Sequence, residues 1–313
     1  MYLLSCIIPC YNEEDVLLMF YDKITSTLKM IDYELIFVND GSKDNTLNII
    51  EELSIKNNRV KYISFSRNFG KEAAMLAGLK MAEGENIAIL DADLQHPPEK
   101  ILEMLKALEE GYDIAAARRV NRVGEGRTKS YFSKKFYKII NKLVDIEIED
   151  GAQDFRIMKR KVVDSIISMP EYHRFSKGIF SWVGFKTKWF EHENIERPVG
   201  ESKWSFWGLF KYAIEGIVAF STVPLRIALV TGVLTSMLGF IYGFYLIIRT
   251  LIVGVDWPGY ASLMAGGLFV GGLILLTIGI LGEYISRIYI EVKHRPIYII
   301  DKTNIVCFNK EEQ

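Results

Sequence analysis

Cysteine and histidine are scarce in this sequence, and net charge is almost absent. Three cysteines in 313 residues (Cys6, Cys10 and Cys307) make no disulfide framework. Cys6 and Cys10 fall in one extended run, which puts them about 13 Å apart, too far to bridge. A reduced, cytoplasm-facing catalytic portion is the expectation. A formal net charge of -1 gives no reason to expect nucleic acid as a partner. No G-x-G-x-x-G follows an apolar run, which disfavours dinucleotide binding, and there is no P-loop, G-x-S-x-G or H-E-x-x-H. Met1 leads into LLSCIIP without a basic start, so no signal peptide is expected.

Apolar and aromatic residues are plentiful. Hydrophobic residues make up 50% of the chain, with 18 Phe and 16 Tyr, which excludes a disordered chain. The mean hydropathy of +0.13 is high for a soluble protein, and the excess is concentrated near the C-terminus. Residues 227–248 and 257–282 carry no formal charge over 22 and 26 positions. The first run reaches roughly 33 Å as a helix, enough for a hydrocarbon core of about 30 Å. Two buried helices of a soluble core are the alternative, but the glycines (Gly232, Gly239, Gly243, Gly266, Gly267, Gly271, Gly272) favour close-packed membrane helices. Only residues 249–256 join the runs, so they form a hairpin. Lys203, Lys211 and Arg226 precede it and Arg287, Lys293 and Arg295 follow it, against Arg249 alone in the loop. The positive-inside rule places both termini in the cytoplasm. Residues 204–220, rich in Trp and Phe, read as a helix lying in the membrane interface.

Before that, residues 1–200 alternate strand-like and helix-like segments. Strands are expected at 3–9, 33–40, 60–66, 86–93 and 112–119. Helices are expected at 13–30, 42–53 (with Ser42 and Asp44 as caps), 71–83 and 98–110. Short apolar strands separated by helices predict a mainly parallel sheet covered on both faces, with a site at the carboxyl ends of its strands. The domain reading is 1–200 for this head, 201–224 for the interfacial region, 225–286 for the two spans and 287–313 for a cytoplasmic tail. Nine basic residues between Arg118 and Lys142 face one acid, Glu125. They form either a solvated helix face or a surface for lipid head groups or a phosphate-bearing substrate.

Polar residues gather where the strands end. Asp91-Ala92-Asp93 offers two carboxylates that can hold a divalent ion bridging nucleotide phosphates, and hard oxygen ligands suit Mg²⁺ or Mn²⁺. An Asp-x-Asp pattern by itself more often marks a turn; Gln95 and the Pro97-Pro98 pair make the context more specific. His96 is either a ligand or, the preferred reading, a supporting or exposed residue. Asp40, ending an apolar strand before a Gly-Ser turn, either accepts hydrogen bonds from a base or ribose or caps the next helix.

These residues add up to a resemblance. Pro9-Cys10-Tyr11-Asn12-Glu13, Val38-Asn39-Asp40-Gly41-Ser42, Ser66-Arg67-Asn68-Phe69-Gly70-Lys71 and Asp91-Ala92-Asp93-Leu94-Gln95 look like family 2 glycosyltransferases of the GT-A fold. Residues 150–156 (DGAQDFR), residues 197–204 (RPVGESKW) and the two-helix tail resemble the bacterial polyprenyl-phosphate (bactoprenol) glycosyltransferases, relatives of dolichyl-phosphate mannose synthase. The resemblance implies that Pro9, Tyr11, Glu13 and Asp40 line a base and ribose pocket, with Lys71 and Ala92 also on the nucleotide-sugar. It implies Asp91, Asp93 and Gln95 for metal and diphosphate, and Asp154 and Arg156 beside Asp93 at the reacting centre. Arg118, Arg127, Arg197, Ser202 and Lys203 are implied for the acceptor phosphate and diphosphate. The implied partners are a nucleotide-sugar donor, an undecaprenyl phosphate acceptor and the inner membrane, with a tetramer as one oligomeric form. Glucose from UDP-glucose is favoured by the resemblance alone, with UDP-N-acetylglucosamine and GDP-mannose as alternatives. A processive polysaccharide synthase is the rival enzyme, although its Gln-x-x-Arg-Trp signature and further spans are missing. A membrane scaffold with an inactive transferase fold is the rival outside enzymes.

Overall fold

The computed structural model describes residues 3–119, 149, 151–169, 171–192, 216–254 and 259–305. The described residues divide between two compact units. The first holds the sheet and the stretch from Pro296 onward, and the second runs from Ile217 to Arg295.

The first unit is built on strands β1 (Leu4–Cys10), β2 (Tyr33–Asn39), β3 (Val60–Phe65), β4 (Asn86–Ile89), β5 (Ile114–Arg119), β6 (Ala152–Lys159), β7 (Thr187–His192) and β8 (Ile300–Thr303). Their order across the sheet is β7-β5-β6-β4-β1-β2-β3-β8. Pairs β1–β2, β1–β4, β2–β3 and β5–β7 are parallel, whereas β4–β6, β5–β6 and β3–β8 are antiparallel. The expected parallel core is therefore present at β4-β1-β2-β3, and β6 enters against it. All seven residues of β2 are buried, as a strand covered on both faces must be.

Helices α1 (Leu17–Thr27), α2 (Thr46–Lys56) and α4 (Lys100–Glu109) supply the cover on one face. Leu17, Phe20 and Ile24 of α1 pack with Ile50 of α2, Met104 of α4 and the Leu4, Cys6 and Ile8 side of β1. Full burial of a side chain such as Phe20 contributes about 1.5–3 kcal/mol. Helix α3 (Lys71–Met81) packs on the other face of β1 and β2, and α5 (Arg160–Ile167) joins it there. Burial raises the Cys6 and Cys10 thiols well above their ordinary range, and both are free. Cys307 lies outside the described residues.

Several boundaries differ from the sequence reading. Helix α1 starts at Leu17 rather than 13 because Asn12 to Glu14 are used in loop-to-loop bonds. Ser42 does not cap α2, whereas Asp44 does accept from the amide of Thr46, the first residue of that helix. Ser42 Oγ accepts from the Asn12 amide at 3.0 Å, and Asp44 accepts from the amides of Glu14 at 3.2 Å and Thr46 at 3.1 Å. Strand β4 stops at Ile89; the Leu90 amide still donates to Ile7 O of β1 at 3.0 Å, and Asp91 to Asp93 lie beyond the strand. The tail is also more than a tail. Strand β8 pairs with β3, Tyr298 stacks on Phe65 with ring centroids 5.0 Å apart, and the Ser66 amide donates to Ile299 O at 3.1 Å.

In the second unit, helices α7 (Val223–Val253) and α8 (Tyr260–Val292) contact one another and match the two expected spans, each longer than its uncharged run. Both are long and apolar enough to cross a membrane. Phe240 is 77% exposed and Leu251 81%, so these helices do not serve as the core of a soluble unit. The Tyr284 hydroxyl donates to Ser221 O at 2.6 Å, tying the end of α8 to the start of α7. Most of the expected interfacial helix at 204–220 lies outside the described residues.

Gly78 sits in the middle of α3 facing β1, and a Cβ there would run into the Ile7 side chain. Overpacking of this kind costs about 1–3 kcal/mol. Gly78→Val is expected to lower the melting temperature of the first unit by several degrees, read by thermal unfolding in detergent.

Candidate active site

Four strand ends converge on one polar cluster. The loop after β1 and the loop after β2 are laced by backbone-to-side-chain bonds. Besides the Asn12–Ser42 bond, the Glu13 amide donates to Thr46 Oγ1 at 2.9 Å and the Lys43 amide to Asn12 Oδ1 at 2.9 Å. Asn12 adopts a left-handed backbone, φ 55°, which asparagine tolerates better than most residues. Tyr11 and Glu13 are thereby fixed at the strand end, partly exposed, next to a partly buried Pro9.

Asp40 is only 4% exposed. Its two carboxylate oxygens accept from the backbone amides of Phe69 at 2.6 Å and Gly70 at 2.9 Å. It therefore organises the turn that launches α3, a role neither sequence alternative contained. Burial raises its carboxyl above the ordinary value against the pull of those two amides and the Arg67 charge. Gly41 makes the close approach possible, because a Cβ there would strike the backbone of Arg67 and Asn68.

That turn delivers Lys71 to the centre. Its ammonium lies 2.6 Å from Asp91 Oδ1 and 2.6 Å from Asp154 Oδ2, and its side chain is 41% exposed. Asp91 follows β4 and Asp154 stands on β6, so Lys71 joins two strand ends across the site. Burial would lower the Lys71 ammonium, but the charges of Asp154 and then Asp91 outweigh it and hold the group above ordinary lysine. Burial alone would raise Asp154. The charges of Lys71 and Lys177, with Arg156 adding, instead hold it well below the usual carboxylate range.

Asp91, Asp93 and His96 each offer a ligand atom, all within 4.8 Å of one another. The two hard carboxylates suit a divalent ion of the Mg²⁺ or Mn²⁺ type and so fit the expected metal, whereas an imidazole is not a ligand that Mg²⁺ favours. Ala92 is buried between the two aspartates, Gln95 is partly exposed beside them, and the Gln95 amide donates to Asp93 Oδ1 at 3.1 Å. Leu94 holds φ 57°, an uncommon conformation for a branched residue and a mark of local strain at the site. His96 is 5% exposed rather than solvent-facing, and its Nε2 lies 2.9 Å from Gln153 Oε1. It fastens the Asp91–Asp93 segment to β6.

Arg156 is 3% exposed and turns inward. Its guanidinium stacks 3.6 Å from the Phe180 ring centroid and donates to Gln153 O at 2.6 Å. Burial lowers it to about 10, against the charges of Asp154 and Glu72, and it remains a cation near neutrality. Its Nε also donates to the Asp154 carbonyl oxygen at 3.3 Å, so it supports Asp154 from within the fold. Arg118, at the far end of β5, is bound by Glu149 and Glu191, each at 2.5 Å. Arg127, Arg197, Ser202 and Lys203 lie outside the described residues, as does most of the basic run at 118–142.

Two further residues were not anticipated. Glu72, next to Lys71, accepts from the Ser176 amide at 3.2 Å and from its hydroxyl at a short distance. Ser176 opens α6 (Ser176–Trp182), so this contact joins the starts of α3 and α6. The quoted motif stops at Lys71, and Ser176 stands in no pattern that marks it.

Residues 5–167 match Glycosyl transferase family 2, and residues 223–288 match the GtrB C-terminal hairpin. A Bacillus subtilis (strain 168) protein named as a glycosyltransferase, CsbB, is 46% identical over 97% of this chain and 92% of its own length. The SfII prophage-derived bactoprenol glucosyl transferase of Shigella flexneri is 44% identical over 96% and 98%, and the prophage bactoprenol glucosyl transferase homolog of Escherichia coli (strain K12) is 44% identical over the same shares. Among solved structures, a glucosyl-3-phosphoglycerate synthase from Mycobacterium tuberculosis is 16% identical over 69% of this chain and 78% of that one, with a TM-score of 0.47.

Burial, reinforced by the negative charge of Asp154, pushes the Glu72 carboxyl from its ordinary 4.5 up to about 7. The folded state then holds a proton that the unfolded chain gives up. Stability is lost as pH rises from 4.5 to about 7 and is level above that. Glu72→Gln removes this loss, so its melting temperature relative to the parent protein should rise by several degrees between about pH 5 and about pH 8. Thermal melts across that range check the sign.

Proposed function

The chain belongs to glycosyl transferase family 2, and from that premise we propose that it is an inverting membrane transferase moving one glucose from UDP-glucose to undecaprenyl phosphate. The observation that carries this reading is 44% identity, over nearly the whole length and including the hairpin, to proteins named as bactoprenol glucosyl transferases. Two helices long and apolar enough to span, together with the match to the GtrB C-terminal hairpin, support membrane attachment. The basic residues outside the hairpin favour both termini and the sheet unit on the cytoplasmic side.

Donor contacts are assigned to Pro9, Tyr11, Glu13, Ala92 and Lys71, with Asp40 acting through the turn it holds. Asp91 and Asp93 would hold Mg²⁺ or Mn²⁺, with Gln95 and His96 beside them. Such an ion neutralises charge gathering on the leaving diphosphate. An acceptor phosphate oxygen attacks the anomeric carbon, the bond from that carbon to the diphosphate breaks, and UDP departs with the electron pair. One displacement inverts the configuration.

The acceptor is already an anion near neutrality, so no proton has to be removed. Asp154 suits this chemistry. A carboxylate held well below its ordinary range is a poor base, and its ion pair with Lys71 makes it a positioning group. Lys71 is the cation best placed to face the diphosphate. Arg118 is a reserve for the acceptor phosphate, which would have to replace Glu149 or Glu191 on its guanidinium.

The test supplies full-length protein with undecaprenyl phosphate, Mg²⁺ or Mn²⁺, and radiolabelled UDP-glucose, UDP-N-acetylglucosamine or GDP-mannose in parallel. Label should enter the organic phase from UDP-glucose alone and be lost with EDTA. Asp93→Asn should cut transfer at least about a hundredfold while the melting temperature holds. Counts from another donor would reassign the sugar, and full activity in the Asn variant would remove Asp93 from the ion site.

A further inference from the structure

One ammonium is shared by two carboxylates that belong to different jobs. Asp91 is half of the Asp-x-Asp pair, whereas Asp154 stands across the site on β6, and Lys71 touches both at 2.6 Å. A divalent ion on Asp91 and Asp93 would draw on the same negative charge that Lys71 already neutralises. Asp154 does not depend on Lys71 alone, because the charges of Lys177 and Arg156 also act on it. Asp91 has Lys71 as its one ion-pair partner among the described residues.

We infer that Lys71 is a built-in competitor of the divalent ion for Asp91, so that the ion is taken up together with the nucleotide diphosphate rather than ahead of it. This rests on the reading of Asp91 and Asp93 as ion ligands. A free cation has to share Asp91 with an ammonium in contact with it, and the site binds it weakly. A diphosphate brings its own oxygens to the ion and fresh negative charge for the ammonium. Both cations are then satisfied at once, with Lys71 remaining on Asp154 and turned toward the diphosphate.

The alternative role for Lys71 is a bolt that holds the Asp91 segment against β6. The two roles predict opposite signs. If Lys71 is a bolt, its removal loosens the ligand segment and weakens ion binding. If it is a competitor, its removal leaves Asp91 without a counter-charge and strengthens ion binding, although transfer falls.

The experiment measures binding of Mn²⁺ alone to full-length protein in detergent, from the electron paramagnetic resonance signal of the free ion. The parent protein, Lys71→Met and Lys71→Arg are compared, and a thermal melt confirms that each is folded. Lys71→Met should bind Mn²⁺ roughly tenfold more tightly than the parent, since it removes a unit charge in direct contact with a ligand. Lys71→Arg keeps the charge and should stay close to the parent. Adding UDP should shrink the difference between parent and Met variant, and Asp93→Asn in the Met background should abolish the gain. Equal or weaker binding by Lys71→Met, with the parent binding Mn²⁺ in the presence of UDP, overturns the competitor role and leaves the ion site standing. An Arg variant as tight as the Met variant also overturns it. No binding by any form, with or without UDP, removes the ion-ligand reading and this inference with it.

Discussion

The contact of Lys71 with Asp91 and Asp154 is the constraint around which the first unit is arranged. Two carboxylates from different strands approach the same point, and without a cation between them their repulsion would drive the strand ends apart. The ammonium reaches that point only because α3 begins where it does. The start of α3 is set by the turn at Phe69 and Gly70, whose amides are captured by the buried Asp40. Gly70, with φ 96°, takes a backbone conformation that other residues rarely hold. A hydrogen-bonded turn after β3 thus fixes a charge contact between the ends of β4 and β6.

The turn is held from a second side by the far end of the chain. Strand β8 pairs with β3, and Ile299 accepts the amide of Ser66, immediately before the turn. Segments more than two hundred residues apart therefore set the position of one ammonium. Strand β8 has four residues, two of them charged, and no alternation that distinguishes it from a polar tail. Its pairing depends on an open edge of β3, which a strand order read from local patterns does not reveal. The helices of the second unit outrun their uncharged segments for a related reason. Arg226, Arg249, Glu283, Arg287 and Glu291 are compatible with a helix although not with a hydrocarbon core, so charge marks the limit of the apolar run and not of the helix.

The local chemistry of the strand ends was legible because each end leaves an apolar run and enters polar residues abruptly. Asp91 and Asp93 were visible on that ground, and so was the parallel core, since β2 is apolar without alternation. What the pattern could not convey is which charges meet. Arg118 looks like a free cation beside a basic run, yet its partners Glu149 and Glu191 arrive from segments 31 and 73 residues further along. Asp40 looks like a ligand-facing acid, yet both of its oxygens serve the backbone. Glu72 resembles any acid in the first turn of a helix, where the helix dipole favours it. Only the arrival of Ser176 makes it a buried group with a displaced titration.

That burial bears on how the reaction is organised. Glu72 and Asp154 are neighbouring acids, and the protein keeps them in different states by giving them different partners. Asp154 is surrounded by Lys71, Lys177 and Arg156 and stays ionised, whereas Glu72, with Ser176 as its main partner, holds its proton until about pH 7. Were Glu72 fully charged, it would compete for the cations that fix Asp154. Were Asp154 neutral, Lys71 would have only Asp91 to hold it. An anionic acceptor needs no base, so the acids here do not have to move protons between them. Their work is to settle where one lysine ammonium stands when the diphosphate arrives, with the charge of the buried Arg156 helping to keep Asp154 ionised.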